Sequence, residues 1–176
     1  GSFNTVESVA EVSEDFNTGV ISTDLHVEDM THLKFQWPTT RKIIQAAKKK
    51  NLKVILVLSI KDVPSLEQFN TWMRDMLATT PSDELPNAIQ FFKDIGLDKN
   101  AKNQFLQAPN SFLTDDEKGL PVYIKALQDA ISARGKSIDL ILPNLSVAYE
   151  EGGFQKELAF YKSLQAAGVD FSYVVV

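Results

Sequence analysis

Apolar positions along the chain change their period several times, and each change predicts an element. Residues 52–60, Leu-Lys-Val-Ile-Leu-Val-Leu-Ser-Ile, are apolar almost throughout and β-branched, the pattern of a strand covered on both faces in a parallel sheet. Pro64 and Ser65 then open a helix whose Leu66, Phe69, Met73, Met76 and Leu77 return at helical spacing, with Trp72 at the edge of that stripe. Such a stripe reads as a core face rather than a cofactor box. Upstream, residues 1–29 are polar and acidic with little periodicity, a loop with one short strand at most. Residues 31–37 alternate loosely and are read as a strand, after which Pro38, Thr39 and Thr40 cap a helix through Lys50 that buries Ile43, Ile44, Ala46 and Ala47.

The rest of the chain repeats this grammar. After the turns at Pro81 and Pro86, residues 87–95 are expected to be helical, with Gly96 placed to end the helix. Thr114, Asp115, Asp116 and Glu117 read as a capping box for a helix carrying Tyr123, Ile124, Leu127 and Ile131 as far as Gly135. Pro121 either bends the start of that helix or moves it downstream. Residues 138–142 form a short buried strand, residues 154–167 an amphipathic helix on Phe154, Leu158, Tyr161 and Leu164, and residues 170–176 a final strand. Three times a helix ends and an apolar strand follows within a few residues, at Asn51, Gly135 and Gly168.

That alternation predicts an α/β fold of parallel strands joined by helical crossovers, either a doubly wound sheet or part of a (β/α) barrel. A single (β/α) domain is expected over residues 30–176, preceded by the irregular segment 1–29. Because a complete eight-fold barrel takes roughly 250 residues, a barrel here is expected to be partial, shortened or completed by another chain. The apolar run that closes the chain leaves an open edge, and an uncovered strand invites pairing with a second copy or a partner chain.

Composition narrows the function classes. The 176 residues are 44% hydrophobic and 23% charged, enough for a sizeable core. A net charge of -5 argues against a general nucleic-acid binder, and the one basic run, Lys48 to Lys50, sits at a helix end where cations favour the dipole. No apolar run approaches the ~20 residues of a membrane span. Gly1 and Ser2 read as a cloning scar, which leaves a removed leader open. With no cysteine and only His26 and His32 as histidines, no zinc constellation forms, so no metal is expected; His32 reads as a strand residue packed near the sheet. No phosphate-binding glycine loop occurs, so no nucleotide or other cofactor is expected, and Ser59 lacks a glycine-flanked elbow.

Several segments, in consistent order, resemble family 18 glycoside hydrolases, the chitinases and endo-β-N-acetylglucosaminidases. Met30-Thr31-His32-Leu33-Lys34-Phe35 is similar to their Thr-His-(apolar)-x-(aromatic) strand, and residues 47–60 to the helix and strand that follow. Phe92-Lys93-Asp94-Ile95-Gly96-Leu97-Asp98 resembles the approach to the catalytic strand. Residues 120–131 and 138–143 look like the next helix and strand, and Phe171-Ser172-Tyr173-Val174-Val175 falls where the family leads into a substrate-binding Tyr-Asp. The resemblance implies a partial or shortened TIM-type barrel and, by itself, an extracellular or cell-surface setting.

The departures from the family decide the expected function. Its third strand is followed by two glycines, where this chain has Lys61 and Asp62. Its catalytic strand ends in Asp-Gly-x-Asp-x-Asp-x-Glu. Matching from Asp98 puts Ala101, Asn103 and Phe105 on the acidic positions, and matching back from Pro109 puts Gln107 on the proton donor. Amides cannot protonate a leaving alcohol, and the general-acid contribution alone is commonly worth ~10²–10⁴ in rate. No catalytic residue is therefore assigned. The expectation is a non-catalytic chitinase-like domain that binds N-acetylglucosamine-containing glycan or serves as a scaffold. Asp98, Asn103, Gln104, Gln107 and Asn144 would contact sugar, and Trp37 and Tyr149 would offer stacking faces. Two other readings stay open: an active glycoside hydrolase drawing on Asp62, Asp98, Asp115 or Glu150, and a protein-interaction module.

Overall fold

The computed structural model describes residues 19–62, 64–91, 94–95, 113–135, 137–145 and 153–170. In chain order the elements are β1 (Val20–Val27), α1 (Met30–Lys49), β2 (Lys53–Ile60), α2 (Leu66–Thr79), a 3-10 turn (Ser82–Glu84), β3 (Ala88–Phe91), β4 (Asp94–Ile95), α3 (Leu120–Arg134), β5 (Asp139–Ile141), β6 (Asn144–Leu145) and α4 (Gly153–Ala166). The strands lie in the order β1-β2-β3-β5, all parallel, and farther along the chain β4 runs parallel to β6. Neighbouring strands follow one another in sequence, with no reversal of order. This is the arrangement of a partial (β/α) barrel rather than of a doubly wound sheet.

Register fixes which residues share a face. Ile21 stands opposite Val54, Leu25 opposite Leu58, Val27 opposite Ile60, Leu56 opposite Ile89, and Ile89 opposite Leu140. All of these belong to one buried cluster with Leu33, Ile44 and Ala47 of α1, Phe69 and Leu77 of α2, Ile124 and Leu127 of α3, and Phe160 and Leu164 of α4. Four helices therefore cover one face of the sheet, as crossovers of a single hand require when strands are laid down in order. Val57 and Ala88 are also buried, yet they stand apart from that cluster because their positions point to the opposite face.

Local chemistry explains the boundaries. Ser65 caps α2, accepting the Gln68 N–H at 3.2 Å. The three expected helix ends all take positive φ: Asn51 at 60°, Gly135 at 72° and Gly168 at 89°. At Gly168 a side chain would also press on Lys125, whose Cε lies 3.3 Å from an added Cβ.

Four expectations need correction. Residues 31–37 are not a strand but the first part of α1, in which Leu33, Trp37, Thr40, Ile44 and Ala47 recur at helical spacing on the buried side while Phe35 is 83% exposed. Asp29 is the N-cap, and Pro38 lies inside the helix, which forgoes one hydrogen bond there. The unit begins at β1, upstream of the Met30 boundary, because residues 20–27 pair along their whole length with β2. Residues 88–91 are strand rather than helix: Asn87 accepts the Val54 N–H on its side chain (2.8 Å), donates its own N–H to Val54 O (2.9 Å) and accepts from Asp139 N (3.0 Å), so pairing on both sides overrides local preference. Asp115 closes a turn, accepting from Glu117 N and Lys118 N at 2.9 Å each, and α3 starts only at Leu120 with Pro121 in its first turn. The final strand expected over residues 170–176 lies outside the described residues, apart from Asp170.

At the N-terminal ends of the strands a belt of polar contacts ties the helices together. Arg41 donates to Glu84 (2.7 Å), Gln45 to Asp83 (2.9 Å) and Arg134 to Thr80 O (3.3 Å).

Phe69 is fully buried, its ring 5.4 Å from those of both Phe91 and Tyr123. Phe69→Ala is expected to cost about 3–5 kcal/mol, and Phe35→Ala to stay within about 0.5 kcal/mol of the parent; urea denaturation with unchanged slope checks both. A pH series tests the α1 cap. The Asp29 carboxyl lies below its ordinary range, first because it accepts the His32 N–H and then because of the His32 ring, whose Nδ1 is 2.7 Å away. A carboxyl with a lowered folded pKa contributes stability above its unfolded pKa of about 3.9 and loses it as pH falls through the folded value. Asp29→Asn should therefore lower the melting temperature at neutral pH, with the gap to the parent closing below about pH 4.

Candidate functional site

The face of the sheet opposite the four described helices, free of helix among the described residues, carries most of the polar side chains of the strands, the buried Thr23 excepted. Alternation in β1 sends Ser22, Asp24 and His26 to this side, in register with Ile55, Val57 and Ser59 of β2. Val57 is followed across the sheet by Gln90 and then Ile141, and Ile55 by Ala88 and Asp139. Two polar rows result: Asp24-Val57-Gln90 in the upper half of the sheet, and His26-Ser59 one step nearer the C-terminal ends. Parallel (β/α) folds bind ligands at that end of their strands.

These groups are only partly committed to one another. His26 Nε2 lies 3.7 Å from Asp24 Oδ2, an ion-pair distance too long for a hydrogen bond, with the two side chains 58% and 24% exposed. The Gln90 amide donates to Leu142 O at 3.5 Å. Ser59 is a register neighbour of His26, but with no hydrogen bond between them the trio with Asp24 is not a nucleophilic triad.

Above these rows the rim is charged. The β1–β2 ladder continues past the strands, Lys61 N donating to Val27 O and Asp62 N to Glu28 O, which brings Lys61 Nζ within 3.3 Å of Glu28. Asp29 and His32 pair at the start of α1 with both side chains open to solvent, so His32 is a helix-start residue rather than a strand residue. Tyr123 donates to Pro64 O at 2.6 Å, fixing the loop after β2 onto α3, and burial pushes its phenol pKa up. Among the described residues no three metal-ligating side chains converge, and no described helix is long and apolar enough to cross a membrane.

The residues expected from sequence meet this site poorly. Trp37 is 6% exposed and packs edge-on against Trp72, centroids 6.4 Å apart, so it is a core ring with no open stacking face. Asn144 begins β6 opposite Asp94, at the C-terminal side where ligand contact was expected. Asp98, Asn103, Gln104, Gln107 and Tyr149, with Glu150, lie outside the described residues. Asp115, a candidate acid, is held below the ordinary carboxylate range by the Glu117 and Lys118 N–H groups and serves its turn. Asp24 and Gln90 carry no signal that the sequence analysis used, and His26 and Ser59 were weighed only as a metal ligand and a nucleophile; residues 24–27, Asp-Leu-His-Val, alternate and mark the first and third.

Two cavities flank the sheet. One, of about 340 Å³, lies where the outer edge of β1 meets α1. The other, of about 360 Å³, lies beside β5, where Gln128 bonds in both directions to the Asp170 backbone. No protein-family model matches the chain, and neither does any curated protein sequence.

Proposed function

We propose that this chain is a non-catalytic, chitinase-like domain that binds N-acetylglucosamine-containing glycan across the upper half of its helix-free sheet face. The observation that carries the reading is the convergence of Asp24, His26, Ser59 and Gln90 on adjacent strands in that half. Together they supply one charged acceptor, a hydroxyl, an amide and an imidazole, a set matched to the mixed donors and acceptors of a sugar.

Absence of catalysis is supported by spacing. Glycoside hydrolysis uses two carboxyl groups about 5–10 Å apart. Among the described residues of this face the second strand acid is Asp139, three strands from Asp24 and one row below it, roughly 15 Å away at about 4.8 Å per strand. The family's own acid positions carry Ala101, Asn103 and Phe105, or Gln107 in the other register.

Calorimetric titration with N-acetylglucosamine oligomers and N-glycans is the test. Binding heat is expected, with Gln90→Ala and His26→Ala each weakening affinity about tenfold, the value of one or two lost hydrogen bonds. Absence of heat with every glycan, or turnover of a fluorogenic glycoside abolished by Asp24→Asn, overturns the proposal.

A further inference from the structure

Strand β1 stands at the edge of the sheet: among the described residues its one strand neighbour is β2, which it follows over its whole length without a bulge. Edge strands are commonly blunted by shortness, lysine, proline or a bulge. None of these protects β1, Val-Ile-Ser-Thr-Asp-Leu-His-Val, which runs for 8 residues. The ladder also fixes which backbone groups point outward. Gly19 O accepts from Lys53 N and Val27 O from Lys61 N, so the odd-numbered residues of β1 turn their backbone to β2. Asp24 and His26 therefore turn their N–H and C=O groups to the outer edge, and among the described residues no backbone bond outside the ladder takes them.

A strand joining this edge antiparallel must set its own outward residues against Asp24 and His26. Opposite the carboxylate a donor or cation is favoured, opposite the imidazole an acceptor, and like charges directly opposite are unfavourable. Read in the reverse direction, β1 itself meets that specification. With a two-fold axis through Leu25, Asp24 stands opposite the partner's His26 and His26 opposite the partner's Asp24, while on the helix-covered side Leu25 meets the partner's Leu25 and Thr23 meets the partner's Val27. Neighbouring registers are poorer. An axis through Asp24 sets that carboxylate against its own copy, one through His26 sets Asp24 against the partner's Glu28, and one through Thr23 pairs neither acid with an imidazole. An axis normal to the sheet keeps the helices of both copies on one side, with α1 beside α1. Phe35, 83% exposed in one chain, lies on the flank of α1 that lines the edge cavity together with β1, and a large apolar ring there is the kind of side chain that interfaces cover.

We infer that the β1 edge is a homodimer interface, at which a second copy of this chain adds its own β1 antiparallel about a two-fold axis through Leu25. The inference goes beyond the glycan reading and does not depend on what the helix-free face binds. It joins two sheets into one, so that the polar rows of the two copies adjoin at Asp24 and His26.

The test is analytical ultracentrifugation of the full chain over a concentration series, with circular dichroism to check that each variant folds. The parent should shift reversibly from 19.6 kDa to twice that mass. His26→Glu sets acid against acid at both symmetric positions and should raise the dissociation constant about tenfold; adding Asp24→Lys restores opposite charges in that register and should return it to the parent value. The chain has no cysteine of its own. Leu25→Cys brings one thiol to its copy at a Cα separation of about 4.5 Å, within disulfide reach, so oxidation should link the dimer, whereas Asp24→Cys should not link it. A monomer at every concentration overturns the inference and leaves the edge to a different partner. A dimer indifferent to His26→Glu overturns it by assigning association to another surface, and a dimer that Asp24→Cys links and Leu25→Cys does not overturns it by assigning another register.

Discussion

The two-residue period of the strands, locked into a common register, is the constraint on which the rest of the molecule depends. Because β1, β2, β3 and β5 are parallel neighbours in sequence order, one parity of every strand must face the helices and the other must face away. Ile21, Leu25 and Val27 share a face with Val54, Leu58 and Ile60 for that reason, and Asp24 and His26 are carried to the opposite face by the same rule. A slip of one residue between β1 and β2 would drive Asp24 and His26 under α1, where burial of a charge without a partner costs several kcal/mol (about the range seen when buried pairs are broken). Sheet stability and placement of the polar rows are thus a single specification, and the site needs no separate device to hold its residues together.

The two ends of the sheet divide the work. At the N-terminal ends, Asn87 links three strands through its side chain and backbone, and the Arg41–Glu84 pair is partly covered, with its carboxylate the more buried partner. Partly buried, charge-assisted contacts of this kind contribute more than exposed ones. The Glu28–Lys61 pair at the other end is open to solvent on both sides and contributes little to stability. The more covered of the two ion pairs thus lies at the N-terminal ends, and the more exposed one at the end that (β/α) folds use for binding.

Much of the architecture was legible in the sequence, and the illegible parts have physical causes. β2 announced itself because a strand buried on both sides is apolar without interruption, and the turns at Asn51, Gly135 and Gly168 because few residues other than glycine and asparagine accept positive φ. α1 misled because Leu33, Phe35 and Trp37 alternate. Period two and period 3.6 agree on Leu33 and Trp37 and differ only on Phe35, whose exposure decides the matter and is invisible without tertiary context. β3 was hidden by its length, since four residues carry too little pattern and Asn87 acts through partners 33 and 52 residues away. The face shared by Asp24 and His26 was illegible because polar Thr23 occupies an inward position of β1, so Ser22-Thr23-Asp24 reads as a polar run and hides the alternation.

Strand spacing also sets which groups can stand beside Asp24 on this face. Around Asp24, no same-face position within the separation that paired hydrolytic carboxyls need holds an acid among the described residues: Ser22 and His26 stand about 7 Å away along β1, and the register neighbours on the next two strands, about 5 and 10 Å away, are Val57 and Gln90. The first removes charge and excludes water beside the carboxylate; the second returns a hydrogen-bonding group that can both donate and accept but has no proton to transfer. The next row toward the C-terminal ends offers His26 and Ser59, an imidazole ring and a hydroxyl. Among the described residues of these two rows, Asp24 is thereby the one carboxylate, set beside an apolar side chain, an amide, a hydroxyl and an imidazole rather than beside a second acid.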